Sequence, residues 1–376
     1  MAQSMSRREW MRWAALGAGA CLLPGGCSDR TADGATGPPA GGRDALAWEP
    51  MDGGRVRCTL CPRACVVADG GRGYCGVREN RGGTYRTLVY GRVCSAHVDP
   101  IEKKPLFHFL PGSRAFSIAT AGCNVECLFC QNWEISQARP EDVHSQDMPP
   151  KAVVEAAQRA RCPSIAFTYN EPTVFYEFAL DTAAAARAAG VHAVTVSNGY
   201  ISADPMKRLC EELSAVKIDL KAFTEDFYRT YVRGELRPVL DTITRVHALG
   251  RHLELVTLLI PGLNDGETEI RDLCRWAVDN VGPDVPVHFS RFHPAYKMTN
   301  LPATSVRTVQ RACEIASEAG VRYAYAGNAP GTGHENTRCH ACGRTLIERY
   351  AHMVTGLHIR DGRCPDCDAP IPGVWR

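Results

Sequence analysis

The stretch RAFSIATAGCNVECLFCQNW, Arg114 to Trp133, runs from an apolar segment into a loop that carries Cys123, Cys127 and Cys130. RAFSIAT reads as a buried strand, and the loop behind such a strand is where a parallel βα unit presents its chemistry. A tetrahedral zinc site or an ordinary cubane cluster takes four protein ligands, whereas this loop offers three. Three thiolates on a cubane leave one iron with an open position. That means a ligand-binding cluster rather than a plain electron carrier.

Outward from this loop, apolar runs alternate with amphipathic ones. Strands are expected at Arg114 to Thr120, Ser164 to Tyr169, His192 to Ser197, Ala215 to Leu220, His252 to Leu259, Pro286 to Arg291 and Arg322 to Tyr325. Helices are expected at Lys151 to Arg161, Phe175 to Ala189, Asp204 to Leu213, Arg237 to Leu249, Thr268 to Asn280 and Ser305 to Ala319. This order predicts an α/β fold with a parallel sheet, a partial (βα)6-type barrel. Polar residues follow successive strands at Tyr169 to Thr173, Ser197 to Gly199, Asp219 to Lys221, Pro261 to Asp265 and Phe292 to Pro294. In a parallel barrel these converge on one mouth.

The chain has 376 residues, a formal net charge of +2 and 18 cysteines. Near neutrality excludes a chain built as a whole to coat nucleic acid or an anionic membrane. Cysteines in C-x-x-C spacing point to metal or redox chemistry before disulfides. Cys339, Cys342, Cys364 and Cys367 bracket a strand-rich stretch with the spacing of a zinc ribbon, a zinc site by this reading. Cys58, Cys61, Cys65 and Cys75 form a candidate second metal site at which cluster, zinc and reduced thiols are all open. Between Arg55 and Arg92 eight arginines face only Asp69 and Glu79, which suggests a docking face for an acidic electron donor such as flavodoxin or ferredoxin. Solvated surface is the competing reading.

The organisation expected is a twin-arginine and lipoprotein-like signal with linker at 1–45, a Cys-rich N-terminal region at 46–112, the core at 113–333 and the ribbon-like module at 334–376. Ser6-Arg7-Arg8-Glu9-Trp10-Met11 supplies the twin-arginine pattern, and Cys27 the lipid-anchor position. This implies export, while a reductant-dependent enzyme suits the cytoplasm, so the compartment is open.

Cys123-x3-Cys127-x2-Cys130 behind a first barrel strand, with Phe129 before the last cysteine, resembles the radical S-adenosylmethionine superfamily. The resemblance implies a [4Fe-4S] cluster on the three cysteines and S-adenosyl-L-methionine as the missing ligand, bound through its amino and carboxylate groups. It implies reductive cleavage to a 5′-deoxyadenosyl radical that abstracts hydrogen from a substrate. Phe129 would pack near the adenine. Asn170 and Glu171 would hold the methionyl ammonium, with Tyr169 and Asn170 standing where the superfamily has glycines. Ser197 and Asn198 fall at the ribose- and carboxylate-contacting strand end, and Asp219 and Lys221 on the next, Lys221 toward the methionyl carboxylate. His293 falls on the adenine or substrate side. No residue is assigned as a catalytic acid or base.

CTLCPRAC, GYCGVR, DPIEKKPLFHFLPG, FTYNEPT, VSNGY, DLKAF, LLIPGLND, FHPAYKM, GNAPG and IPGVW together are similar to the AmmeMemoRadiSam system radical SAM enzyme, akin to pyruvate formate-lyase activating enzymes. That resemblance spans roughly residues 50 to 376 and implies Memo-like and AMMECR1-like partner proteins and a glycyl residue of a partner protein as one substrate. Two other readings stand beside it: a radical enzyme that modifies RNA, and a non-catalytic metal-binding adaptor.

Overall fold

Seven apolar segments pair in parallel and in chain order in the computed structural model, which describes residues 42–376. The twin-arginine and lipoprotein-like segment lies outside them. The sheet begins with β1 (Ser95–Pro100), antiparallel to β2 (Arg114–Ala119), and continues through β3 (Ser164–Phe167), β4 (His192–Ser197), β5 (Ala215–Asp219), β6 (His252–Leu259), β7 (Val287–Arg291) and β8 (Ala324–Gly327). β1 is a departure from the sequence reading. Its residues SAHVDP are half exposed and carry no alternation, so nothing in the pattern marked them as a strand.

Six crossovers carry α1 (Pro150–Arg159), α2 (Tyr176–Ala188), α3 (Ala203–Cys210), α4 (Leu236–Ala248), α5 (Glu267–Val281) and α6 (Val306–Glu318). Each helix forms where apolar residues recur every three or four positions; in α4 the buried set is Leu236, Val239, Thr242, Ile243 and Val246. The Ser305 hydroxyl caps α6 by accepting from the Thr308 amide at 3.0 Å. Strands bonded in chain order with right-handed crossovers place their helices on one face, as the packing of α4 on α5 and α5 on α6 shows. The result is an incomplete barrel, (βα)6 with a seventh parallel strand and an antiparallel edge. Among the described residues no helix is long and apolar enough to cross a membrane.

The segment behind β1 closes the base. The Phe107 and His108 amides donate to the buried Glu254 carboxylate at 3.0 and 2.8 Å, and the Leu110 amide donates to the Val374 carbonyl at 2.7 Å, which ties the C-terminal end of the chain to this segment. Burial opposes ionisation of Glu254, but hydrogen bonds from His252 and His288 outweigh it and hold the carboxyl well below the usual range. The C-terminal module is a three-stranded antiparallel sheet, Thr337–Arg338, Thr345–Tyr350 and Met353–Leu357.

The N-terminal region folds as two small antiparallel sheets, one of Trp48–Pro50, Val56–Cys58 and Val66–Val67, the other of Arg43–Asp44, Arg78–Arg81 and Thr84–Thr87. Among the contacts that dock it on the barrel are a buried ion pair and a close backbone approach. Arg78 makes a bidentate pair with Glu177 of α2 at 2.9 and 2.6 Å, both side chains fully buried. Gly122, at φ +92°, lets the chain approach so closely that a Cβ there would lie 2.6 Å from Val77 Cγ1 and 2.9 Å from the Cys75 carbonyl. Part of the arginine-rich stretch is committed to carboxylates within the chain. Arg78 is interior, Arg72 pairs with Glu79 and Glu141, Arg81 with Glu79, and Arg57 with Glu49. Of these acidic partners Glu49, Glu141 and Glu177 lie outside the stretch Arg55 to Arg92, and Glu79 within it.

Removing one member of a buried ion pair strands the other, at a cost of about 3–5 kcal/mol. Arg78→Ala should lower stability by that order in chemical denaturation, whereas Arg78→Met combined with Glu177→Met should recover most of the loss.

Candidate functional site

The loops behind the parallel strands meet in a cavity of about 820 Å³, within the range of sites that hold small-molecule cofactors. Cys123, Cys127, Phe129, Cys130, Asn170, Glu171, Asn198, Asp219, Lys221 and His293 all line it. Of the residues expected around S-adenosylmethionine, Ser197 alone turns away: its hydroxyl donates to Glu171 at 2.8 Å and accepts from the Gly199 amide at 3.0 Å. It braces Glu171.

Glu171 organises the mouth. Its Oε1 accepts from the Thr173 amide, the Thr173 hydroxyl and Ser197 Oγ at 3.0, 2.7 and 2.8 Å, and its Oε2 from the Asn198 amide at 2.7 Å. A carboxylate has about four lone-pair positions, so Oε2 retains one for a further donor. Burial pushes the Glu171 carboxyl up and these four donors pull it back, with burial the larger effect. Asn170 Nδ2 donates to the Gly122 carbonyl at 2.9 Å, while its buried Oδ1 has no partner among the described residues. Tyr169 accepts φ +69° to carry this turn. Both unfilled acceptors suit an ammonium ligand.

The cysteine loop is tied to the same strand ends. Asn198 Nδ2 donates to Asn124 Oδ1 at 2.9 Å and approaches Cys123 Sγ at 3.8 Å; Asn124 Nδ2 donates to the Tyr200 carbonyl at 2.6 Å. Cys130 Sγ lies 3.2 Å from Ser136 Oγ. Burial pushes the Cys123 thiol well up and Cys127 to about 12, although Lys221 pulls Cys127 down. Thiols in so dry a place become thiolates when a cationic metal centre binds them. The donor set therefore fits an iron–sulfur cluster.

At the end of the next strand, β5, Asp219 lies between Lys217 and Lys221, with Lys221 Nζ at 3.2 Å. Burial raises the Asp219 carboxyl, but Lys217 and then Lys221 outweigh it and bring it down to about 2. Burial lowers Lys221, while Asp219 and Cys127 raise it further, so it stays charged. Burial pushes Lys217 down against the pull of Asp219, so two lysines against one carboxylate leave at most one surplus positive charge in this cluster. Lys221 Nζ also lies 5.9 Å from the centre of the Phe129 ring, whose other neighbour is Phe227. Asn264, from the PGLND turn, fixes this strand end by donating to the Lys221 carbonyl at 2.7 Å.

Lys217, Asn124, Ser136 and Lys104 were missed from the sequence. Lys217 had a signal, a charged residue inside the apolar strand AVKID. Lys104 lay within the motif DPIEKKPLFHFLPG but behind no apolar strand; it reaches the cavity from the segment behind β1, paired with Asp99 at 2.6 Å, and burial lowers its ammonium to about 8 against the pull of that pair.

The ribbon cysteines form a separate centre. Cys339 and Cys367 sulfurs are 3.6 Å apart, and Cys342 and Cys364 sulfurs 3.7 Å. Four ligands about 2.3 Å from a tetrahedral ion lie about 3.8 Å from one another, so these sulfurs already sit where a mononuclear metal would hold them. Both knuckles repeat one backbone turn, Gly343 amide to Cys339 carbonyl at 2.9 Å and Asp368 amide to Cys364 carbonyl at 3.0 Å.

An incomplete parallel barrel with three cysteines on its first loop defines a class, and the comparisons agree with it: residues 117–276 match the family model described as the Radical SAM superfamily. The chain belongs to the radical SAM superfamily, whose domain implies a [4Fe-4S] cluster and S-adenosylmethionine. It is 43% identical over 331 residues to the uncharacterized protein MJ0808 of Methanocaldococcus jannaschii, covering 88% of this chain and 98% of that protein. MJ0674 of the same organism is 25% identical over 71% of this chain and 75% of its own length. Among solved structures, a domain of pyruvate-formate lyase-activating enzyme from Bacteroides vulgatus aligns over 43% of this chain and 98% of its own, at 19% identity and a TM-score of 0.39. A radical SAM methyltransferase from Sphaerobacter thermophilus aligns over 58% and 67%, at 19% identity and a TM-score of 0.46.

Asp219 has a folded pKa of about 2, below its ordinary value near 3.9, so its pairing stabilises the fold fully above about pH 4 and is lost as pH falls through about 2. Asp219→Asn should cost about 2 kcal/mol at neutral pH. The gap between variant and parent should close between about pH 4 and pH 2 in a pH series of denaturant midpoints.

Proposed function

We propose that this chain is an activating-enzyme-like oxidoreductase of the AmmeMemoRadiSam kind, acting on a glycyl residue of a partner protein. The observation that carries the radical chemistry is the cavity where three cysteines face Asn170, Glu171, Asn198, Asp219 and Lys221. The glycyl substrate and the Memo-like and AMMECR1-like partners rest on the resemblance of the ordered motifs alone.

Cys123, Cys127 and Cys130 would hold the cluster, and Glu171 Oε2 with Asn170 Oδ1 would take the methionyl ammonium. The surplus positive charge of Lys217, Asp219 and Lys221 answers the methionyl carboxylate, with Lys221 the nearer to the cysteine loop. Phe129 offers a flat apolar wall for the adenine. When bound, the cluster supplies the electron that cleaves S-adenosylmethionine to the hydrogen-abstracting 5′-deoxyadenosyl radical. The chain's own part is to exclude water around the thiolates and to donate to their sulfurs from Asn198 and Ser136, the levers by which a protein sets a cluster's potential. The electron donor we take to be an acidic flavodoxin or ferredoxin. Arg72, Arg78 and Arg81 pair with carboxylates of the chain, which weakens an arginine grip on RNA and an arginine face for an acidic donor alike. His293, exposed at the rim, is kept for the substrate side.

The ribbon we assign to zinc, as a structural ion. Its role is stability, because a preformed four-thiolate site contributes its binding energy to folding.

Anaerobic, dithionite-reduced protein should release methionine and 5′-deoxyadenosine, and Cys123→Ala should reduce this to background. A loaded cluster whose electron paramagnetic resonance spectrum ignores S-adenosylmethionine would refute the mechanism. Cys342→Ala should lower bound zinc and the thermal midpoint while leaving cleavage per folded molecule largely intact; loss of cleavage in a folded variant would place the ribbon in substrate binding instead.

A further inference from the structure

Cys58, Cys61, Cys65 and Cys75 take no part in the barrel mouth, yet the backbone gathers them. Val56–Cys58 and Val66–Val67 pair as a hairpin in which the Cys58 amide donates to the Cys65 carbonyl at 2.9 Å, with Cys61 in the connecting turn. The Tyr74 amide donates to Cys65 Sγ at 3.5 Å, which brings Cys75 to the same place. Burial first, and then the nearness of Cys58, Cys75 and Cys65, pushes the Cys61 thiol up to about 12.

Two buried donors beside this group lack partners among the described residues, Tyr85 Oη and Arg78 Nε. Tyr85 Oη flanks Gly73 together with Cys65: a Cβ on that glycine would lie 2.6 Å from the hydroxyl and 3.9 Å from Cys65 Sγ. A buried hydroxyl left unbonded is destabilising, so the arrangement suits an acceptor that the protein chain itself does not contain.

Spacing separates the candidates for that acceptor. The ribbon sulfurs lie within 4.8 Å of one another, as a single ion requires; no three of the N-terminal four meet that limit. A cluster, whose irons and sulfides stand between the cysteines, needs the wider set. The group also adjoins the radical site. A cavity of about 590 Å³ is lined by both Cys75 and Cys123, the Cys75 carbonyl lies against Gly122, and Arg63, between Cys61 and Cys65, donates to the Asn124 carbonyl.

We propose that Cys58, Cys61, Cys65 and Cys75 hold a second iron–sulfur cluster, which relays single electrons from an external low-potential one-electron donor to the centre at Cys123, Cys127 and Cys130. The donor loses one electron, the second cluster gains and then loses it, and no bond is made or broken. The relay rests on the function proposed above; the cluster itself does not.

The test uses the full chain with Cys123, Cys127 and Cys130 all replaced by alanine, reconstituted anaerobically with ferrous iron and sulfide. It should retain about four irons and four sulfides, half the content of the parent, in a cluster whose reduced spectrum S-adenosylmethionine leaves unchanged. A folded variant without iron, or one that takes zinc and no sulfide, overturns the proposal. If the triple variant does not fold, Mössbauer spectra of the parent decide. Two equal cluster populations, of which one responds to S-adenosylmethionine, support a second cluster, and a single population that responds throughout overturns it. Two populations that both ignore S-adenosylmethionine would support the second cluster while refuting the proposed function. Cys65→Ala should slow reduction of the responsive cluster by reduced ferredoxin; an unchanged rate overturns the relay.

Discussion

The carboxylate of Glu171 stands where three strand ends meet, and the geometry of the mouth follows from what it accepts. A buried carboxylate must be satisfied by donors. Glu171 takes them from Thr173 in its own turn and from Ser197 and Asn198 at the end of the next strand. With its amide committed there, Asn198 is oriented to reach Asn124 and Cys123, and through them to set the cysteine loop. One satisfied anion thus aligns the turn behind β3, the end of β4 and the loop behind β2. The lone pair it has left points the same network at a ligand.

The end of β5 uses the opposite arrangement, an anion enclosed by cations. Asp219 between Lys217 and Lys221 keeps both lysines tolerable in a dry place and leaves at most one surplus positive charge. Under the proposed function the free acceptors of Glu171 and Asn170 and the lysine-rich cluster at Asp219 would together complement a zwitterion. The thiols are held away from water, where a low-potential centre is favoured.

The N-terminal region is more than an appendage to this arrangement. It is fixed by a buried bidentate pair, Arg78 with Glu177, and by close approach at Gly122, one residue before Cys123. Both contacts bear on the barrel mouth rather than its base. At the base the closing parts are Glu254 with the Phe107 and His108 amides, and the pairing of Leu110 with Val374.

Much of this was legible in the sequence because it rests on local signals. The strands and helices of the core follow from hydrophobic period, and the cysteine spacings are set by the loops that carry them. Asn170, Glu171, Asn198, Asp219 and Lys221 could be picked out because polar residues directly behind apolar strands have one place to go in a parallel barrel. What the sequence could not determine are the pairings between distant segments. Arg78 looked like surface charge since its partner Glu177 is 99 residues away, and burial is a property of the pair rather than of either residue. β1 became a strand because the edge of β2 offered it a ladder, not through its own pattern. Ser197 was legible as a site residue, but which way its hydroxyl turns was decided by the unsatisfied carboxylate beside it. Period and spacing are written along the chain; the satisfaction of buried charge is settled only when segments far apart in sequence are brought together.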